Sequence, residues 1–97
     1  LKKIQDNVAI VVYIHFLEEL QAVLATYKSG TDAWYAVFDK VEKQVQKVKG
    51  VEDVCLDHQV WAKVEVSAKT WEGTGKEVDR ITQKIFKILE RLKNKDR

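Results

Sequence analysis

Thiol, imidazole and carboxylate meet within six residues at Asp53, Cys55, Asp57 and His58. These are ligand types that zinc accepts, and a strand through 53–57 sets the odd positions on one face with His58 opening the turn beside them. Cys55 and His58 are therefore the candidate metal ligands. A Cys-x-x-His pair is only half a site, and no second Cys/His pair completes it; His15 is the sole other histidine. A small buried or half-buried thiol beside a polar hairpin turn accounts for the same residues without a metal. As nucleophile and base the pair is weaker still, because two side chains three apart across a strand end aim differently and nothing resembling a known family signature surrounds the cysteine. Glu18 and Glu19 are adjacent, so on a helix they point about 100° apart and form no facing acid pair. The chain shows no catalytic set, calls for no cofactor, and leans away from an enzyme.

The stretch Glu72-Gly73-Thr74-Gly75-Lys76-Glu77-Val78-Asp79 poses a sharper choice. A phosphate loop needs G-x-x-x-x-G-K followed by Ser or Thr. Counting back from Gly75-Lys76 finds Thr70 in place of the first glycine, and Glu77 replaces the hydroxyl residue. Thr74-x-x-Glu77 instead fits a capping box opening a helix. The reading is a helix start.

Two surfaces remain. Residues 60–71 alternate, placing Val60, Ala62, Val64, Val66 and Ala68 on one face and Trp61, Lys63, Glu65, Ser67, Lys69 and Trp71 on the other. With helices on the valine face, Trp61 and Trp71 project from the open side flanked by Lys63 and Lys69, unless the N-terminal segment folds over that face and buries them. Such a patch is a candidate interface for a second copy or another protein, or a platform on which bases stack. The second surface is Arg80, Lys84, Lys87 and Arg91, opposite the Ile/Leu stripe of the C-terminal helix. Residues 76–97 hold eight Lys and Arg against four Asp and Glu, a local +4 that could track phosphates. A solvated helix face is the plainer account of that stripe.

These residues need elements to hold them. From Thr31, apolar residues at Trp34, Val37, Phe38, Val41, Val45 and Val48 keep helical spacing, with Thr31 as cap and Gly50 as the left-handed terminator. Val54 and Leu56 alternate with polar neighbours and pair with the 60–71 strand as a hairpin. Val78, Ile81, Ile85, Phe86, Ile88, Leu89 and Leu92 mark a last amphipathic helix. The first third has two readings: strand 7–14 running into helix 16–28, or one helix from about 8 to 28. The first is preferred, since Val8 to Ile14 is β-branched and aromatic and a lone hairpin wants a third strand.

The run from Val41 to Val66, with Gly50-Val51-Glu52-Asp53-Val54 between a helix and a hairpin, resembles small ferredoxin-like modules such as the cytosolic domains of cation transporters and the heavy-metal-binding domains. The former pattern sets histidines along the strand that follows, where only His58 stands near; the latter carries a Cys-x-x-Cys before its first helix, absent here. The resemblance implies an α+β sandwich and no function.

Ninety-seven residues, 45% hydrophobic and 33% charged with a net charge of +2, suit one globular domain spanning 1–97 and neither demand nor exclude an anionic partner. A single cysteine suits a reducing, cytoplasmic setting. No run reaches the roughly 18 apolar residues of a membrane span, and Val8 to Ile14 lacks a small-residue cleavage site, so it is not read as a signal peptide. The expectation is an α+β domain with about three antiparallel strands and helices on one face, in the order β-α-α-β-β-α, or α-α-β-β-α if the first segment is helical. Its expected role is a non-enzymatic binding or oligomerisation module, a homodimer through the Trp61/Trp71 face. The alternatives are a nucleic-acid binder using the basic helix and a metal- or small-ligand-binding domain around Cys55 and His58.

Overall fold

The computed structural model describes residues 9–57, 59–67 and 70–95. Its elements run β1 (Ala9–His15), α1 (Leu17–Leu24), α2 (Asp32–Gln46), β2 (Val51–Cys55), β3 (Trp61–Ser67) and α3 (Trp71–Lys95). The order is the expected β-α-α-β-β-α, and the long N-terminal helix is excluded. β1 forms where β-branched residues crowd, and α1 follows at once because Phe16, wholly buried, turns the chain into the helix layer.

The three strands form one antiparallel sheet in the order β1-β3-β2. β3 is central. Its alternate residues Ala62, Val64 and Val66, with Val60 just before it, are buried under the helices, joined by Val37, Val41 and Val45 of α2 and Ile81, Ile85, Ile88, Leu89 and Leu92 of α3. Helices cover one face, as the alternation requires. A bulge between Val51 and Asp53 sets one extra residue of β2 against β3. Compared with the β-α-β-β-α-β order of ferredoxin-like modules, the first crossover is two helices, and no strand follows α3 among the described residues.

Thr31 caps α2 as expected, its Oγ1 accepting from the Trp34 N–H at 3.3 Å. α2 ends at Gln46, and Gly50, at φ +101°, serves the turn into β2. The helix expected over 16–28 stops at Leu24, and α3 begins at Trp71 and not at Thr74. Thr70 Oγ1 accepts from the Gly73 N–H at 3.0 Å, and the Thr74 hydroxyl donates to the Thr70 carbonyl at 3.1 Å. Thr74 thus lies inside the helix, and the capping role belongs to Thr70. Among the described residues no helix is long and apolar enough to cross a membrane.

Candidate interaction face

The register of β3 with its neighbours sorts the open face into rows. Trp61 stands between His15 on β1 and Cys55 on β2; Lys63 stands between Tyr13 and Asp53; Glu65 faces Val11. Period-two alternation puts all of these on the side away from the helices. Tyr13 and Trp61, diagonal neighbours across the strand pair, meet edge to face with ring centroids 5.0 Å apart and planes at 85°. Tyr13 is 49% exposed and Val11 46%. An apolar and aromatic patch therefore lies toward the Trp61 end of a sheet face that no described helix covers.

The polar residues beside it are coupled. Lys63 Nζ lies 3.7 Å from a Glu52 carboxylate oxygen. A hydrogen bond with Glu52, then its charge, then burial raise the Glu65 carboxyl above the ordinary carboxylate value, with Lys63 opposing. Two carboxylates share one lysine on this face.

Past the β2 edge the aromatic surface continues. Trp34, Tyr35 and Phe38 of α2 line a groove of about 750 Å³ with Val54, Cys55 and Trp61. Trp34 and Phe38 are 4.6 Å apart between centroids, Trp34 and Tyr35 5.0 Å. Trp61 belongs to both the face and the groove. The Cys55 thiol, half-buried there, donates to the Asp57 carbonyl at 3.3 Å.

The expected site residues divide. Trp61 and Lys63 stand on the open face as read. Trp71 does not: β3 ends at Ser67, so the shared parity stops there, and Trp71 opens α3 with 61% of its surface exposed. Lys69, Ala68 and His58 lie outside the described residues. Cys55 and His15 share a row but are two strand spacings apart, about 10 Å, with Trp61 between them. Among the described residues no group of three metal-ligating side chains forms. Of the basic stripe, Arg80 is held by Glu77, whereas Lys84, Lys87 and Arg91 line one cleft of about 550 Å³ together with Val48, Ile88, Glu90 and Asn94.

Sequence reasoning placed Trp34 and Phe38 on the core side of α2 and gave Tyr13 and Tyr35 no surface role. A signal was available: Trp34 and Tyr35 are adjacent, and adjacent helical residues point about 100° apart, so both cannot face the core. No family model, curated protein or solved structure matches this chain significantly.

Proposed function

We propose that this domain is a non-enzymatic binding and oligomerisation module that self-associates through its Trp61-bearing sheet face. One observation carries the reading: the Tyr13–Trp61 pair lies edge to face on a sheet face that the described helices leave bare. Large aromatics surrounded by partly neutralised charge make strong anchors when a partner excludes water, and Lys63 with Glu52 and Glu65 supplies such a rim. A cytoplasmic, reducing setting suits the single free thiol, Cys55.

A second reading has its own support. Lys84, Lys87 and Arg91 gather on one cleft, which favours an anionic partner such as nucleic acid for the helix layer.

Two variants separate these readings. Trp61→Ser is expected to lower the molar mass in solution and weaken association at least tenfold, about 1.4 kcal/mol or more. Charge reversal at Lys84 and Lys87 is expected to leave the mass unchanged. Unchanged mass in Trp61→Ser, together with nucleic-acid binding that falls steeply with salt and disappears in the reversed variant, contradicts the first reading in favour of the second.

A further inference from the structure

The two edges of the sheet are finished differently. On β2, the Val54 N–H is taken by Asp53 Oδ1 at 2.9 Å, and the Glu52 carbonyl accepts from Gln46 Nε2 at 3.0 Å. Side chains thus occupy part of the β2 edge, a common protection against strand addition.

β1 has no such protection among the described residues. The direction of its backbone groups follows from two bonds. The Phe16 N–H donates to the Val60 carbonyl at 3.2 Å, so even-numbered residues of this ladder face β3. The Glu65 N–H donates to the Gly50 carbonyl at 3.2 Å, so odd-numbered residues of β3 face β2, as the same alternation demands. Ala9, Val11, Tyr13 and His15 therefore direct their N–H and C=O groups away from β3, along the outer edge. The strand reads Ala-Ile-Val-Val-Tyr-Ile-His, with no lysine, carboxylate or proline to block pairing. Apolar surface is also left there: Ile10 and Val12 stay half-buried while the residues they pair with, Val66 and Val64, are buried.

We propose that β1 pairs antiparallel with β1 of a second copy, joining two sheets into one of six strands. Among the registers that pair odd with odd, one engages the whole strand. A two-fold axis at Val12 sets Val11 opposite Tyr13 and Ala9 opposite His15 of the other copy, so every hydrogen-bonded pair is odd with odd, as the edge directions require. All seven residues pair, no charge meets a like charge, and Ile10 meets Ile14 on the helix side. The strand is its own complement, which makes a second copy the fitting occupant and the contact isologous. This seam is distinct from burial of the aromatic face. It extends that face across two chains, setting Val11 of one copy beside Tyr13 of the other.

The register can be read by crosslinking in a Cys55→Ser background. Val12→Cys places a thiol opposite its own copy in a non-hydrogen-bonded pair, with Cα atoms about 4.5 Å apart and within disulfide reach. Ile10→Cys sits about 13 Å from its copy, four residues along the strand. Mild oxidation is expected to give a covalent dimer at position 12 and none at position 10. No crosslink at 12, or equal crosslinking at both, overturns the pairing. Val11→Pro removes an edge-directed N–H without costing a bond to β3, and is expected to lower the mass with an unchanged far-UV spectrum; a folded variant of unchanged mass overturns it too. Adding Trp61→Ser to the Val12→Cys variant keeps the two contacts distinguishable. A crosslink at position 12 that persists there supports the seam, and one that vanishes assigns the contact to the face and overturns the seam.

Discussion

Gly50 and Gly30 both hold positive φ, at +101° and +84°, yet they differ in what surrounds them. A Cβ on Gly50 would meet Ile81 Cδ1 at 2.7 Å, whereas one on Gly30 finds nothing within 4 Å. Ile81 is buried at the centre of the helix layer and has little room to give. Gly50→Ala is therefore expected to cost about 2–4 kcal/mol, backbone strain plus overpacking, and Gly30→Ala about 1 kcal/mol from strain alone; denaturant unfolding of the two variants checks the difference. Glu65 gives a prediction in pH. Its folded carboxyl keeps a proton to higher pH than in the unfolded chain, chiefly through Glu52. The repulsion is thus absent in acid and appears as pH rises from the ordinary 4.5 through the raised value. Glu65→Gln should raise the melting temperature slightly at pH 7 and leave it unchanged near pH 3. Equal effects at both pH values would contradict the Glu52–Glu65 coupling.

At the scale of elements, the start of α3 is where local sequence misleads. Thr74-x-x-Glu77 has the pattern of a capping box, but the helix opens at Trp71 with Thr70 accepting from Gly73. Glu77 is committed to Arg80, three residues on, which lowers its carboxyl below the usual range. That pairing contributes stability above pH 4.5 and loses it as pH falls through the lowered value. Two expectations follow from the new boundary. Thr70→Ala should cost about 1 kcal/mol as a lost cap. Gly75→Ala, inside a helix turn with no atom within 4 Å of the added carbon, should stabilise by about 0.5–1 kcal/mol. Thermal or denaturant unfolding tests both, and a Gly75→Ala loss would return the helix start to Thr74. The rest of the element plan was legible: the valine alternation of β3, the Thr31 cap and the α3 apolar stripe each repeat over enough residues to fix their period. One residue type at one position, such as a threonine four residues from another, carries no such redundancy. Trp71 was misplaced for the same reason, since the parity argument assumed that the strand continued to it.

For the whole molecule, the smaller part of the candidate surface was visible in the sequence and the larger part was made by the fold. Trp61 and Lys63 follow from alternation alone. Tyr13 reaches Trp61 only because β1 pairs with β3 in a register that no local pattern states, and Trp34, Tyr35 and Phe38 join them only because α2 packs beside the β2 edge. Among the described residues the helices all lie on one side of the sheet, and an aromatic surface runs from the other side around the β2 edge. Molar mass by light scattering over a wide dilution series, with iodide quenching of tryptophan in a Trp71→Phe background so that the exposed α3 indole does not dominate, tests self-association through that surface directly. The expected result is a mass above that of one chain that falls on dilution, with quenching rising as it falls. A single-chain mass at every concentration, with quenching independent of dilution, would contradict self-association through the Trp61 face.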